Sequence, residues 1–177
     1  MKIGIDIDDT ITDTKDIMIE YIENYTDFKV EEMHDLPASF WETFGERIYQ
    51  RVNFKPGVKE SFAFLRSIGC EIIIITAREY RTNYDIVKLT EDMFKRNEIN
   101  YDKIIYHSIP KGPDAQKENI DLFIDDLEYN LESVGSYGID CIKIVNDYNN
   151  DNKYRQFNNW NDLTKYIELW GREKNGW

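Results

Sequence analysis

The sequence predicts an α/β protein, a doubly wound, Rossmann-like parallel sheet that carries one small helical insertion. Three observations lead there. Apolar runs rich in Ile and Val recur at 3–7, 71–76, 122–124 and 141–145 with little alternation, as strands buried on both faces do. Stretches of helical period lie between them. Several of the runs end in Asp or Thr, at the carboxyl ends of strands where such sheets bind their ligands.

In chain order, the first strand is Ile3-Gly4-Ile5-Asp6-Ile7. The strand–helix rhythm then breaks. Residues 12–54 hold two helical patterns, 15–25 and 40–50, and no strand, so they are expected to form a small helical cap on a core built from 1–11 and 55–177. Pro56-Gly57-Val58 opens a helix over 56–67 with Val58, Phe62 and Leu65 on one face. Strand 71–76, a helix over 84–97 and a weaker strand at 103–106 follow. After strand 122–124 come a helix over 127–137, strand 141–145, a polar Asn/Asp-rich loop at 146–152 and a final helix over 160–170 with Asn161 as its N-cap. Trp160, Trp170 and Trp177 suit either a sheet-covering helix or a homodimer surface.

At 177 residues, with 41% hydrophobic and 14% aromatic content, the chain is long and apolar enough for a substantial core. Its net charge of −12 argues against a nucleic-acid polymer or an anionic membrane as partner. A small phosphorylated substrate stays open, because one cation and a few local Lys or Arg can reverse the sign inside a pocket. With no leader before the first strand and no apolar run of membrane length, a cytoplasmic protein is expected. Cys70 and Cys141 each open an apolar run and are expected as free, largely buried thiols.

The first strand runs into Asp6-Ile7-Asp8-Asp9-Thr10, and alternation aims Asp6 and Asp8 the same way. Like charges that close need a positive group between them, and Mg²⁺, with its hard oxygen ligands, suits both the carboxylates and a substrate phosphate. Phosphate-ester hydrolysis needs a nucleophile, an acid for the leaving oxygen and donors around the transferring group. Asp6 can attack, and Asp8 can move the protons. Thr76, with Ala77 beside it, can hold a phosphate oxygen. Ile124-Asp125-Asp126 ends another strand in acids, as a metal site shared with Asp6 would require. A lysine should offset the carboxylate charge.

This ordered set resembles the haloacid dehalogenase superfamily of aspartate-nucleophile phosphatases. Asp6-Ile7-Asp8-Asp9-Thr10 stands for its first motif, Ile72-Ile73-Ile74-Ile75-Thr76 for its second, a lysine for its third, and Ile124-Asp125-Asp126 for its fourth. The resemblance implies Asp6 as nucleophile and metal ligand and Asp8 as acid/base and backbone ligand. It further implies Asp125 as the third protein ligand and Asp126 as a supporting acid. Lys111, ten residues before Asp121, fits the third motif best, with Lys103 and Lys117 as competitors. The insertion after the first motif, Thr76-Ala77-Arg78 and Asp121-Leu122-Phe123-Ile124-Asp125-Asp126 are similar to the cytosolic type-C 5′-nucleotidases and 5′(3′)-deoxyribonucleotidases. That implies a (deoxy)nucleoside monophosphate as substrate; a sugar phosphate or another small phosphorylated metabolite is the alternative. A dehalogenase has no need of the acid Asp8 supplies. A receiver domain would need a phosphoacceptor near Phe54-Lys55-Pro56-Gly57, where no acid stands.

Around these motifs, Arg78 could meet a substrate or pair with a surface acid. Phe40 and Trp41, with Phe44, Tyr49 and Phe54, suit either base stacking or a core between the insertion's helices. His34 and His107 lack ligand spacing, which argues against zinc.

Overall fold

The computed structural model describes residues 1–31, 36–81, 83–146 and 153–175. His34, Trp177 and the loop expected at 146–152, apart from Asn146, lie outside the described residues. Strands β1 (Lys2–Ile5), β2 (Glu71–Ile75), β3 (Lys103–Ile105), β4 (Leu122–Asp125), β5 (Asp140–Ile144) and β6 (Arg155–Phe157) form one sheet. Their order is β3-β2-β1-β4-β5-β6, and every neighbouring pair is parallel. The chain winds outward from β1 first one way and then the other, so the crevice of this sheet opens at the end of β1.

Side-chain parity divides the core. Ile3, Ile5, Ile72, Ile74, Leu122, Ile124, Ile142 and Ile144 face one side, where they meet Val58, Phe62 and Leu65 of α3 (Val58–Ser67) and Trp160, Leu163 and Ile167 of α7 (Trp160–Asn175). Ile73, Ile75 and Phe123 face the other side. They meet Ala115 of α5 (Gly112–Lys117) and Leu131 and Val134 of α6 (Glu128–Gly135). Gly4 is small because Phe123 fills its place: a Cβ there would lie 2.8 Å from the Phe123 ring. Buried on both faces, these strands read as unbroken Ile runs.

Between β1 and α3 lie α1 (Thr14–Tyr25) and α2 (Ala38–Arg51). A bridge between Thr12 and Phe54, and the Lys55 N–H donating to the Ile11 carbonyl at 2.8 Å, pin the two ends of this segment together. Met18, Tyr21, Ile22, Phe40, Ile48 and Val52 bury their side chains in one core cluster with the sheet. On the other flank of β2, α4 (Ile86–Arg96) starts at Asp85, whose carboxylate accepts the Lys88 N–H at 2.9 Å.

Two readings need correction. The final helix starts two residues earlier than an Asn161 cap requires: Asn159 accepts the Asp162 N–H at 2.8 Å and Trp160 is the first helical residue. The sheet also has the short edge strand β6, whose Arg-Gln-Phe sequence carries none of the apolar run of its neighbours. Trp160 is buried, its indole N–H donating to the Thr10 carbonyl at 3.1 Å, and Trp170 packs partly buried against the same core. Cys70 and Cys141 are free thiols, buried and half-buried. No helix among the described residues is long and apolar enough to cross a membrane.

Candidate active site

The acidic run after β1 folds as a tight turn. Asp9 takes a left-handed backbone (φ 61°), a conformation Asp tolerates better than most residues, and the Ile11 N–H closes onto the Ile7 carbonyl at 3.0 Å. The turn is fixed from α1, whose Lys15 N–H donates to the Asp9 carboxylate at 2.8 Å, and from Lys55, whose ammonium donates to the Asp9 carbonyl. The Thr10 hydroxyl lies 3.3 Å from carboxylate oxygens of both Asp6 and Asp126.

Asp6, at the end of β1, and Asp125, the last residue of β4, are neighbours because those strands pair in register. Lys111, in the turn before α5, places its ammonium on both, donating to Asp6 Oδ1 and, at 2.7 Å, to Asp125 Oδ2. All three are buried. Lys103 pairs instead with Glu118 at 2.6 Å, and Lys117 is exposed, so of the three candidate lysines only Lys111 reaches the carboxylates. Burial by itself would lower the Lys111 ammonium, but Asp125 and Asp6 outweigh it and hold it above its usual range. Asp6 shifts the other way. Burial lifts its carboxyl well above the ordinary value, Lys111 counters, and the charges of Asp125, Asp8 and Asp126 add to the rise.

Asp125 is locked on its second oxygen too: the Leu127 N–H donates to Oδ1 at 2.9 Å and the Asn130 amide at 3.1 Å. Asp126 receives Lys15 at 3.2 Å and Asn146 at 3.3 Å. Carboxylate oxygens of Asp6, Asp125 and Asp126 all lie within 4.8 Å of one another. Three hard anionic oxygens so close are a donor set that fits Mg²⁺. Thr76 follows β2 and is buried. Its Oγ1 accepts the Arg78 N–H at 3.2 Å, which leaves the hydroxyl proton to be donated.

A cleft of about 470 Å³ opens beside this cluster, lined among others by Asp8, Asp9, Lys15, Trp41, Tyr49, Ala77, Arg78 and Tyr84. Arg78 meets neither a surface acid nor open solvent. It is buried and grips half-buried Asp8 side-on, Nε to Oδ2 at 3.0 Å and Nη2 to Oδ1 at 2.7 Å. Desolvation raises the Asp8 carboxyl, but Arg78 and the Thr14 hydroxyl together pull it below the ordinary value. Phe40 does not reach the cleft. It is 3% exposed and packs edge-on to Trp41 and against Phe44 in the core, because α2 turns that face toward α1. Phe44 packs on Tyr21 and Phe54 on Phe94, leaving Trp41 and Tyr49, stacked at 6.0 Å, as the aromatics of α2 that line the cleft. His107 stands exposed beside Glu79.

Thr14, Lys15, Thr90 and Asn130 carry contacts to the site that the motifs do not mark. Only Thr14 and Lys15 had a signal to offer, their place at the start of the first helix after the acidic turn.

No protein-family model matches the chain. A nucleotidase of Clostridium acetobutylicum is 29% identical over 190 residues, spanning 95% of this chain and 94% of its own. Among solved structures, a haloacid dehalogenase-like hydrolase from Streptococcus pneumoniae superposes with a TM-score of 0.67 at 14% identity, over 94% of this chain and 97% of that one. An L-2-haloacid dehalogenase gives 0.65 at 12% identity over 95% and 98%, and a hydrolase of the same superfamily from Ehrlichia chaffeensis gives 0.60 at 13% over 95% and 96%. The chain has the haloacid dehalogenase-like hydrolase fold, and its likeness to a nucleotidase runs nearly end to end.

Proposed function

We propose that this chain is a Mg²⁺-dependent, cytoplasmic phosphomonoesterase that acts through an aspartyl-phosphate on Asp6, with (deoxy)nucleoside monophosphates as its substrates. The observation that carries the reading is the Lys111 ammonium held between Asp6 and Asp125, whose carboxylates lie within 4.8 Å of that of Asp126, at the switch point of the sheet. The similarity to a nucleotidase supports the substrate class.

Asp6 attacks phosphorus, and the ester P–O bond breaks as the Asp6–phosphorus bond forms. Asp8, protonated in the enzyme–substrate complex, gives its proton to the leaving alkoxide and then, as the carboxylate, takes one from the water that cleaves the aspartyl-phosphate, which restores the Asp6 carboxylate and the Asp8 acid. Thr76 and the Ala77 region donate to phosphate oxygens, and Lys111 orients Asp6 and offsets charge. Asp6 and Asp125 through their side chains, and Asp8 through its carbonyl, would hold the cation, with Asp126 behind them. When bound, the cation supplies charge neutralisation for a dianionic substrate among acids. Residues 12–54 act as a cap on the core of 1–11 and 55–177, and Trp41 stacks on the base.

The test is phosphate release from a panel of nucleoside, deoxynucleoside and sugar phosphates, with and without Mg²⁺. Release should depend on the cation, favour a nucleotide, and fall to background in Asp6→Asn. A hexose phosphate outrunning every nucleotide would overturn the substrate class; cation-dependent turnover in Asp6→Asn would overturn the nucleophile.

A further inference from the structure

Asp8 accepts three of the hydrogen bonds on its carboxylate from side chains, and their distribution is uneven. Oδ1 takes two, from Thr14 Oγ1 at 2.6 Å and Arg78 Nη2 at 2.7 Å. Oδ2 takes one, from Arg78 Nε at 3.0 Å. An ionised carboxylate has about two acceptor positions on each oxygen. Oδ1 is therefore saturated, and Oδ2 keeps one position open beside the cleft that Asp8 lines.

The grip is itself held from two sides. Arg78 Nη1 donates to Thr90 Oγ1 at 2.9 Å, and that hydroxyl donates in turn to the Ile86 carbonyl at 2.7 Å, which anchors the guanidinium to α4. On its flat face the guanidinium carbon lies 4.5 Å from the ring centre of Tyr49 on α2, and Tyr49 stacks in turn on Trp41. A planar guanidinium wedged between a ring and a hydroxyl has one orientation, which an ammonium on a flexible stem would not have.

We propose that Arg78 and Tyr49 are positioning residues for Asp8: they fix its carboxyl plane so that the proton Asp8 carries in the enzyme–substrate complex sits at the open position of Oδ2 and passes from there to the leaving oxygen. The inference rests on the phosphomonoesterase reading, in which Asp8 moves protons. Arg78 then acts through Asp8 and does not bind substrate, and α2 is coupled to proton transfer as well as to substrate.

The leaving group tests this. A p-nitrophenolate departs with little need of a proton, whereas an alkoxide needs one. Kinetics with Mg²⁺ are measured on p-nitrophenyl phosphate and on phenethyl phosphate, an alkyl ester of similar bulk. Arg78→Ala should lower kcat on the alkyl ester by roughly 10²-fold, in the range of general acid catalysis, with KM nearly unchanged and only a small loss on the aryl ester. Added guanidinium should recover part of the alkyl activity. Tyr49→Leu should give the same pattern more weakly, and Tyr49→Phe, which keeps the ring face, should recover it. Thr90→Val, which removes a single anchor, gives the same readout if Arg78→Ala fails to fold. Equal losses on both esters, or a rise in KM alone, would overturn the positioning role while leaving the phosphatase reading intact. A wild-type protein that releases phosphate from neither ester and from no nucleotide would overturn both.

Discussion

Lys111 is the residue on which the charge balance of the site turns. Its ammonium is buried between Asp6 and Asp125, and Asp125 is itself fully buried, its other oxygen accepting from Leu127 and Asn130. Removing one member of such a set leaves buried charge without compensation, which costs about 3–5 kcal/mol. Lys111→Met, close in length and apolar, should therefore lower the urea midpoint by that free energy at pH 8 with the m-value unchanged. It should also abolish phosphate release. An undiminished midpoint would mean that Lys111 is not the group that makes the acidic cluster tolerable. The sequence left three lysines for this place, Lys111 favoured over Lys103 and Lys117 by the family resemblance alone, and only the packed sheet shows which ammonium reaches Asp6 and Asp125. The partner of Arg78 was not legible there at all. Asp8 lies 70 residues away, and nothing in local pattern says that a guanidinium at the end of a loop will turn inward to a carboxylate instead of outward to substrate.

At the scale of elements, the loop from β2 to α4 leans on α2, and this contact shapes one wall of the cleft. Gly45 of α2 makes the contact close: a Cβ there would lie 2.8 Å from Tyr84 Cζ and 2.9 Å from Cε1. Nearby, the Asn83 amide donates to the Glu42 carbonyl at 3.2 Å, and Arg96 of α4 donates to the Gln50 and Val52 carbonyls at the end of α2. Gly45→Ala sets two effects against each other. Alanine favours a helix interior by about 1 kcal/mol over glycine, while its methyl must displace the tip of Tyr84, a cleft residue. A tyrosine tip moves at small cost, so the melting temperature should change little or rise, whereas KM for the preferred nucleotide should increase several-fold. A KM equal to wild type would show that Tyr84 does not shape the substrate pocket. The helices and Ile-rich strands were readable from periodicity because their burial is two-sided. The edge strand β6 was not, since an edge position needs no apolar run, and neither was the division of the α2 aromatics between core and cleft, which depends on the rotation of one helix about its axis.

At the scale of the whole molecule, the acids buried in the site, Asp6, Asp9, Asp125 and Asp126, set how its stability depends on pH. Burial pushes the Asp9 carboxyl up to about 7, with the charge of Asp126 adding to it, and burial likewise raises Asp126 and Asp6. An acid whose folded value is raised binds more protons in the native state than in the unfolded one. Stability must then fall as pH climbs from the unfolded value of 3.8 through the folded value, here a window reaching about 7. Asp8, lowered by Arg78, works in the opposite sense: its contribution is present above 3.8 and lost as pH falls. Within the cluster, where three acids are raised and one is lowered, the metal-free protein should lose stability between about pH 4 and 7. A divalent cation held by the cluster would reverse this, because it would bind the ionised carboxylates and release their protons. At about 100 times its dissociation constant Mg²⁺ would add about 2.7 kcal/mol, or about 5–10 °C in melting temperature for a chain of this size. Thermal melts with and without Mg²⁺ should show that gain at pH 7.5 and a markedly smaller one at pH 5, where protons compete for the same oxygens. Asp125→Asn should remove most of the gain at both values. An equal shift at the two pH values, or a full shift in Asp125→Asn, would place the cation elsewhere on this acidic surface and not in the cluster that Lys111 organises.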